Sequence, residues 1–250
     1  MKRAFTLIEL LVVLAIIAVL AAVVFPVFVS AKGAVHQMGA GRMAGQYFTA
    51  TTLYASDHDD HFPLAMYWTG TELMTWFGQQ VGETEFDESK GIVSPYMKGK
   101  LGSDNALVAD PYLGTPTGIG YNWGVIGSDF HLKGDYSDFP NCKGAATMSQ
   151  LENPSRTAVF ATSAYYSPTW VPDGTGRKMQ FNFFDPIEAW PDGIPNIDFR
   201  HLGTSKLDDA TRSLITTGNA MISFADGNVR QAKQKEIKSE WFWRGPSQQQ

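Results

Sequence analysis

One carboxylate stands at the head of a run that offers it no partner. Glu9 follows Phe5-Thr6-Leu7-Ile8, and from Leu10 to Val29 no side chain carries a charge or a hydrogen-bonding group. A carboxylate near the end of an apolar segment costs on the order of 1–3 kcal/mol, depending on depth, unless it meets a counter-charge or a donor. Its chemistry is therefore pairing. A second cluster, Asp57-His58-Asp59-Asp60-His61, offers oxygen and imidazole ligands within five positions. Its spacing fits neither a calcium loop nor a zinc pair on one helix face. Pro63 disfavours helix at Phe62, so the cluster reads as the polar end of a helix turning into a globular part. Cys142 is alone, which rules out an intramolecular disulfide, and it lies in a polar stretch where a nucleophilic role has no support. Gly118-Ile119-Gly120 lacks the strand–turn–helix context of a dinucleotide site. No Ser–His–Asp or Cys–His arrangement carries a recognisable local motif.

The element that positions Glu9 is a helix. At ~1.5 Å per residue, Leu10–Val29 is roughly 30 Å long, the thickness of a bilayer core. Lys2 and Arg3 precede it, which by the positive-inside rule places the N-terminus in the cytoplasm and the rest of the chain outside. Two other readings of the segment exist: a secretory signal cut after Val29-Ser30-Ala31, and a plain anchor. Secretory cores run about 7–15 residues and do not open with an acid, and a plain anchor leaves Glu9 unexplained. No second run reaches membrane length in the 250 residues, of which 18% are charged. The net charge of −5 shows no sign of the basic patch that marks nucleic-acid binding.

From Ser30 to about Ser56 the helix is expected to continue. Gly33, Gly39, Gly41 and Gly45 weaken it by ~1 kcal/mol each, and Val35, Met38, Gly45, Phe48 and Thr52 trace a faint apolar stripe. Such a stretch is expected to bend or melt on assembly, or else to be a linker. Farther on, Ile92–Met97 suits a short helix or turn, and Gly120–Val125 a strand. Residues 127–145 suit an exposed loop. Ala158–Ala161, Phe181–Phe184 and Met221–Phe224 suit further strands. Asp226-Gly227 signals a tight turn, so Ala220–Val229 reads as a β-hairpin or bulge. Residues 233–238 suit a charged helical or loose end. The expected fold is α+β: a long N-terminal hydrophobic helical spine, then an antiparallel β-sheet head.

Lys2-Arg3-Ala4-Phe5-Thr6-Leu7-Ile8-Glu9-Leu10-Leu11-Val12-Val13 resembles the class III signal of type IV prepilins and pseudopilins. The resemblance implies a leader at 1–4, a transmembrane and spine helix at 5–56, and a head at 57–250. It implies cleavage between Ala4 and Phe5 by a prepilin peptidase, N-methylation of Phe5, and a helix bend at Pro26. It also implies partners in other pilin or pseudopilin subunits, inner-membrane assembly machinery and membrane lipid, with no nucleic acid. The location implied is the bacterial inner membrane, then a periplasmic or surface filament of a type II secretion or type IV pilus kind. Ala4 stands where the family prefers Gly. Tyr54 to Pro63 resembles the family's spine exit.

Gly120-Tyr121-Asn122, Asn153–Thr157, Phe199-Arg200-His201 and Phe224–Val229 are similar to a prepilin-type group carrying a His, nine residues, then Asp-Gly. Here residues 202–225 separate His201 from Asp226, and a polar inserted loop is expected at about Thr204–Thr217. Ala109-Asp110-Pro111 stands in place of the group's Cys-Pro. His201, Asp226 and Gly227 are expected to be structural, with the imidazole bonded to backbone or carboxylate beside the hairpin. Calcium at Asp226 is the alternative, since oxygen ligands suit a hard cation; otherwise no cofactor is expected. The chain is expected to be no enzyme. The competing reading is a membrane-anchored domain that does not polymerise and binds carbohydrate through its seven Trp and its Tyr residues; a secreted enzyme is a third.

Overall fold

The computed structural model describes residues 6–82, 86–97, 101–104, 106–107, 117–166, 178–189, 196–208 and 213–245. A single helix, α1 (Leu7–Asp57), runs unbroken for 51 residues, about 75 Å at the standard rise. Pro26 lies inside it, and the glycines between 33 and 45 neither melt nor end it. Their place in the packing explains why. The helix buries Gln37, Ala40, Ala44, Tyr47, Thr51 and Ala55, a three-and-four spacing that marks one face. That face is made largely of small residues. A methyl added to Gly41 would lie 2.9 Å from the Met221 Cε, and one added to Gly45 would lie 3.5 Å from Val229. The glycines let the helix approach the sheet closely, which offsets their poor propensity. Of the expected apolar stripe, Phe48 is buried and Gly45 faces Val229, whereas Val35 and Met38 are 67% and 56% exposed.

The sheet that receives the helix has the strand order β12-β11-β5-β4-β8. In chain order, β1 (Met66–Thr69), β2 (Glu72–Thr75) and β3 (Gly78–Val81) form a separate antiparallel meander. β4 (Ile119–Asn122), a one-turn helix α2 (Phe130–Lys133) and β5 (Ala158–Thr162) follow. β6 (Ala164–Tyr165) pairs with β7 (Met179–Gln180), and β8 (Phe183–Phe184) returns to the main sheet. β9 (Ser205–Asp208) and β10 (Ser213–Thr216) form a hairpin, and β11 (Ala220–Phe224) and β12 (Val229–Ala232) another. The sheet departs from the antiparallel expectation at one edge, where β8 runs parallel to β4, with Tyr121 opposite Phe183.

Both faces of this sheet are buried except along the edge strand β12, where Arg230 and Gln231 are exposed. Along β11, Met221 points to the helix side, whereas Ala220, Ile222 and Phe224 join a second core with Phe184, Phe199, Phe242 and Trp243. On the helix side Tyr47 packs on Trp76 and Phe160, with ring centroids 5.3 and 5.8 Å apart, and Tyr121 stacks on Phe160 at 5.1 Å. The second half of α1 is thus part of the head's core.

Three local readings change. The stretch expected as a polar insertion contains the β9–β10 hairpin, with Thr204 and Thr217 hydrogen-bonded at its base. Its alternation is weak, so it carried little strand signal. Within 127–145, residues 133–138 are largely exposed as expected, but α2 and Cys142 are folded in: Phe130 and Cys142 are buried. The strand expected through Val125 stops at Asn122 and turns. Gly118-Ile119-Gly120 serves that strand: Gly118 adopts φ +63°, and a methyl on Gly120 would lie 2.5 Å from the Phe183 carbonyl of β8.

Candidate functional site

Thr6 caps α1. Its Oγ1 accepts from the Glu9 backbone N–H at 3.3 Å, and its own N–H and hydroxyl each donate to Glu9 Oε2 at 2.8 Å. This is a capping box: two orphan donors at the helix end are satisfied reciprocally. Glu9 therefore has a partner inside its own chain, one that sequence reasoning overlooked although Thr-x-x-Glu is a readable signature. Beyond it every side chain from Leu7 to Val29 is exposed, and this part of α1 is long and apolar enough to cross a membrane. The junction residues Ala4 and Phe5 lie outside the described residues.

In the head, His201 and Asp226 occupy different surroundings. Asp226 is exposed in the β11–β12 turn, where its two oxygens accept from the Asn228 backbone N–H at 3.0 Å and the Asn228 side-chain amide at 2.6 Å. Gly227 follows at φ +85°, and a methyl there would lie 3.5 Å from the Phe48 ring of the spine. His201 is buried, and the carboxylate beside it is Asp104, with Nε2 3.0 Å from Oδ2. Its backbone pairs with Asn219 just ahead of β11. Its Nδ1 is buried with no hydrogen-bond partner. The carboxylate beside the His201 imidazole is thus Asp104, and Asp226 lies apart in its own turn.

Asp104 belongs to a buried ionic cluster that sequence reasoning missed. Arg200 reaches Asp104 Oδ2 through Nε at 2.8 Å and Nη2 at 2.7 Å, and Asp198 Oδ2 through Nη1 at 2.7 Å. It also donates to the carbonyls of Ser163 and Gly118. Lys178 Nζ lies 2.7 Å from the same Asp198 oxygen. Burial pushes both carboxyl groups up, but Arg200 outweighs it, with His201 at Asp104 and Lys178 at Asp198, and holds both below the usual carboxylate range. Only the pattern Asp198-Phe199-Arg200, two charges flanking a core Phe, hinted at buried charges facing away from that core. Asp104 is 96 positions distant from Arg200.

Residues 1–25 match the family model of the prokaryotic N-terminal methylation motif. The N-terminal segment is type IV pilin-like. No curated protein and no solved structure matches it.

Other candidate residues are held in structural contacts. The His58 ring stacks on Tyr54 at 3.8 Å and its Nδ1 lies 2.8 Å from the Tyr54 carbonyl, while His61 bridges to Thr147. Asp59 and Asp60 adopt φ of 52° and 61°, which turns the chain off the helix end so that Phe62 enters the core. Among the described residues no group of three or more His, Cys, Asp or Glu side chains is placed to hold a metal. Burial pushes the Cys142 thiol up to about 11, and its backbone N–H donates to the Met66 carbonyl, so the thiolate needed for nucleophilic chemistry is disfavoured. His131, unremarked in the sequence, sits between Asp185 Oδ1, 2.8 Å from Nε2, and the Tyr136 hydroxyl, 2.5 Å from Nδ1, and Trp123 also donates to Asp185. This locks α2 onto β8. Of the described tryptophans, Trp76 and Trp243 are core residues and Trp68 is 41% exposed. They form no shared platform for a sugar; Trp170 and Trp190 lie outside the described residues.

Proposed function

We propose that this pilin-like chain is a structural filament subunit, cut before Phe5 by a prepilin peptidase, methylated at the new amino terminus, and packed with other pilin or pseudopilin subunits into a periplasmic or surface filament. The observation that carries the reading is the division of one continuous helix. Its second half is built into the head, while Leu7–Val29 is exposed among the described residues. An apolar face of that length is stable only in lipid or against like helices. Lys2 and Arg3 hold the leader on the cytoplasmic side, the span sits in the inner membrane, and the head lies outside. On this reading the protein is a substrate and a building block rather than a catalyst.

Glu9 then has two tasks. In the single chain it caps the helix. In the assembly its carboxylate meets the Phe5 ammonium of a neighbour, so that two costly ions in apolar surroundings offset one another. Their attraction is strong in low dielectric, but both are desolvated; the net gain is small and the pairing sets register, with side-by-side helix packing contributing most of the affinity. The two tasks separate by substitution. Glu9→Gln keeps an acceptor suited to a capping box and removes the charge, whereas Glu9→Val removes both. Both variants are expected to insert and be cut, with the head's melting temperature unchanged, and both to lose filament incorporation at least tenfold in crosslinking of membrane-inserted subunits. Incorporation of Glu9→Gln at the parent level would leave capping as the carboxylate's whole role.

A further inference from the structure

A cleft of about 540 Å³ separates the spine from the head just above the apolar run. Ser30, Lys32 and His36 line it from α1, and Arg200, His201 and Leu202 from the head. Lys32 and His36 lie one turn apart on one face of the helix. The described lining contains no carboxylate; Asp104 is behind it, engaged by Arg200 and His201. Arg200 has its donors committed, but the His201 Nδ1, fully buried and unpartnered, does not. Leu202 adopts φ 53°, an uncommon conformation for a branched side chain, and its Cδ2 would lie 3.2 Å from a methyl on Gly33. The Leu202 turn thus packs against the spine beside the His201 ring, whose Nε2 faces Asp104.

We infer that this cleft binds the phosphate headgroup of an anionic phospholipid in the outer leaflet of the membrane that the spine crosses. The inference rests on the membrane-spanning reading of α1. If Leu10–Val29 fills the ~30 Å hydrocarbon core, Ser30–His36 rises through the next ~10 Å, the depth of the headgroup layer. The cleft therefore stands where headgroups are, and its donors are the Ser30 hydroxyl, the Lys32 ammonium and the His36 imidazole, a set that suits a phosphodiester anion, with the His201 ring beside them as a reporter of what enters. Its volume is that of a small-ligand site. A bound headgroup would tie head to membrane surface and fix the angle at which the head leaves the bilayer.

The test uses the full chain in nanodiscs of phosphatidylcholine with or without phosphatidylglycerol. Resistance to carbonate extraction first checks integration; extraction of the protein would overturn the spanning reading itself. Integrated parent protein is expected to retain phosphatidylglycerol in native mass spectrometry and to shift the His201 Nδ1 resonance when that lipid is present. The double variant Lys32→Gln/His36→Gln is expected to lose retention at least tenfold, and Lys90→Gln, a remote surface change, to keep it. Equal retention of both lipids by the parent, or undiminished retention by the double variant, overturns the site. Millimolar inorganic phosphate in detergent reproducing the His201 shift overturns the lipid as its source.

Discussion

Arg200 is the residue whose loss the head should feel most. Arg200→Ala removes two bonds to Asp104, one to Asp198 and two to the Gly118 and Ser163 carbonyls at a stroke. It leaves two buried carboxylates facing each other's field, with Lys178 as the nearest full cation. Truncating one partner of a buried ion pair costs about 3–5 kcal/mol, which is the penalty of stranding the other charge rather than the net worth of the pair. For a folded unit of this size each kcal/mol shifts the melting temperature by about 2–4 °C, so a drop of roughly 6–20 °C at pH 7 is expected. Arg200→Lys should fall between, because one ammonium cannot span both carboxylates and two carbonyls. The assay is a thermal melt of the full chain in detergent, since a fragment beginning at Asp57 would lack Ala40, Ala44 and Tyr47 from the core. The pH dependence follows from the depressed carboxyl groups. Their stabilisation is fully present above the unfolded aspartate value of about 3.9 and is lost as pH falls below it through the folded values. In Arg200→Ala the stranded carboxylates shed their penalty on protonation, so the gap between parent and variant should narrow below about pH 4. A melt for Arg200→Ala within 2 °C of the parent at pH 7 would refute the buried cluster.

The spine glycines offer a second check. Nothing lies within 4 Å of a methyl on Gly39, so Gly39→Ala should recover ~1 kcal/mol of helix propensity and raise the melting temperature by about 2–4 °C. Gly41→Ala should gain less, because its methyl displaces the Met221 Cε. Gly120→Ala should be destabilising, since its methyl meets the Phe183 backbone and separates β4 from β8. At the N-terminus, Ala4→Gly is expected to speed cleavage and Ala4→Leu to block it; mass spectrometry finding Met1 intact in assembled filaments would exclude that junction.

The long apolar N-terminal helix was legible because it depends on a local quantity, the length of an apolar run, whereas the Thr6–Glu9 capping box, equally local, was passed over. The Asp226-Gly227 turn, where φ +85° demands glycine, was legible too, and so were the central strands at Ala158 and Met221. Hydrophobic periodicity was a poor guide along the spine, because half of the buried positions, Ala40, Ala44, Ala50 and Ala55, are alanines, which a search for large apolar residues passes over. What only the tertiary structure decided concerns pairs distant in sequence. His201 meets Asp104 rather than Asp226, Arg200 gathers Asp104 and Asp198, and Cys142 enters the core through its bond to Met66. Charges and polar atoms carry no label of their partners; burial in a common low-dielectric space selects them, and that space exists only once spine and sheet have packed.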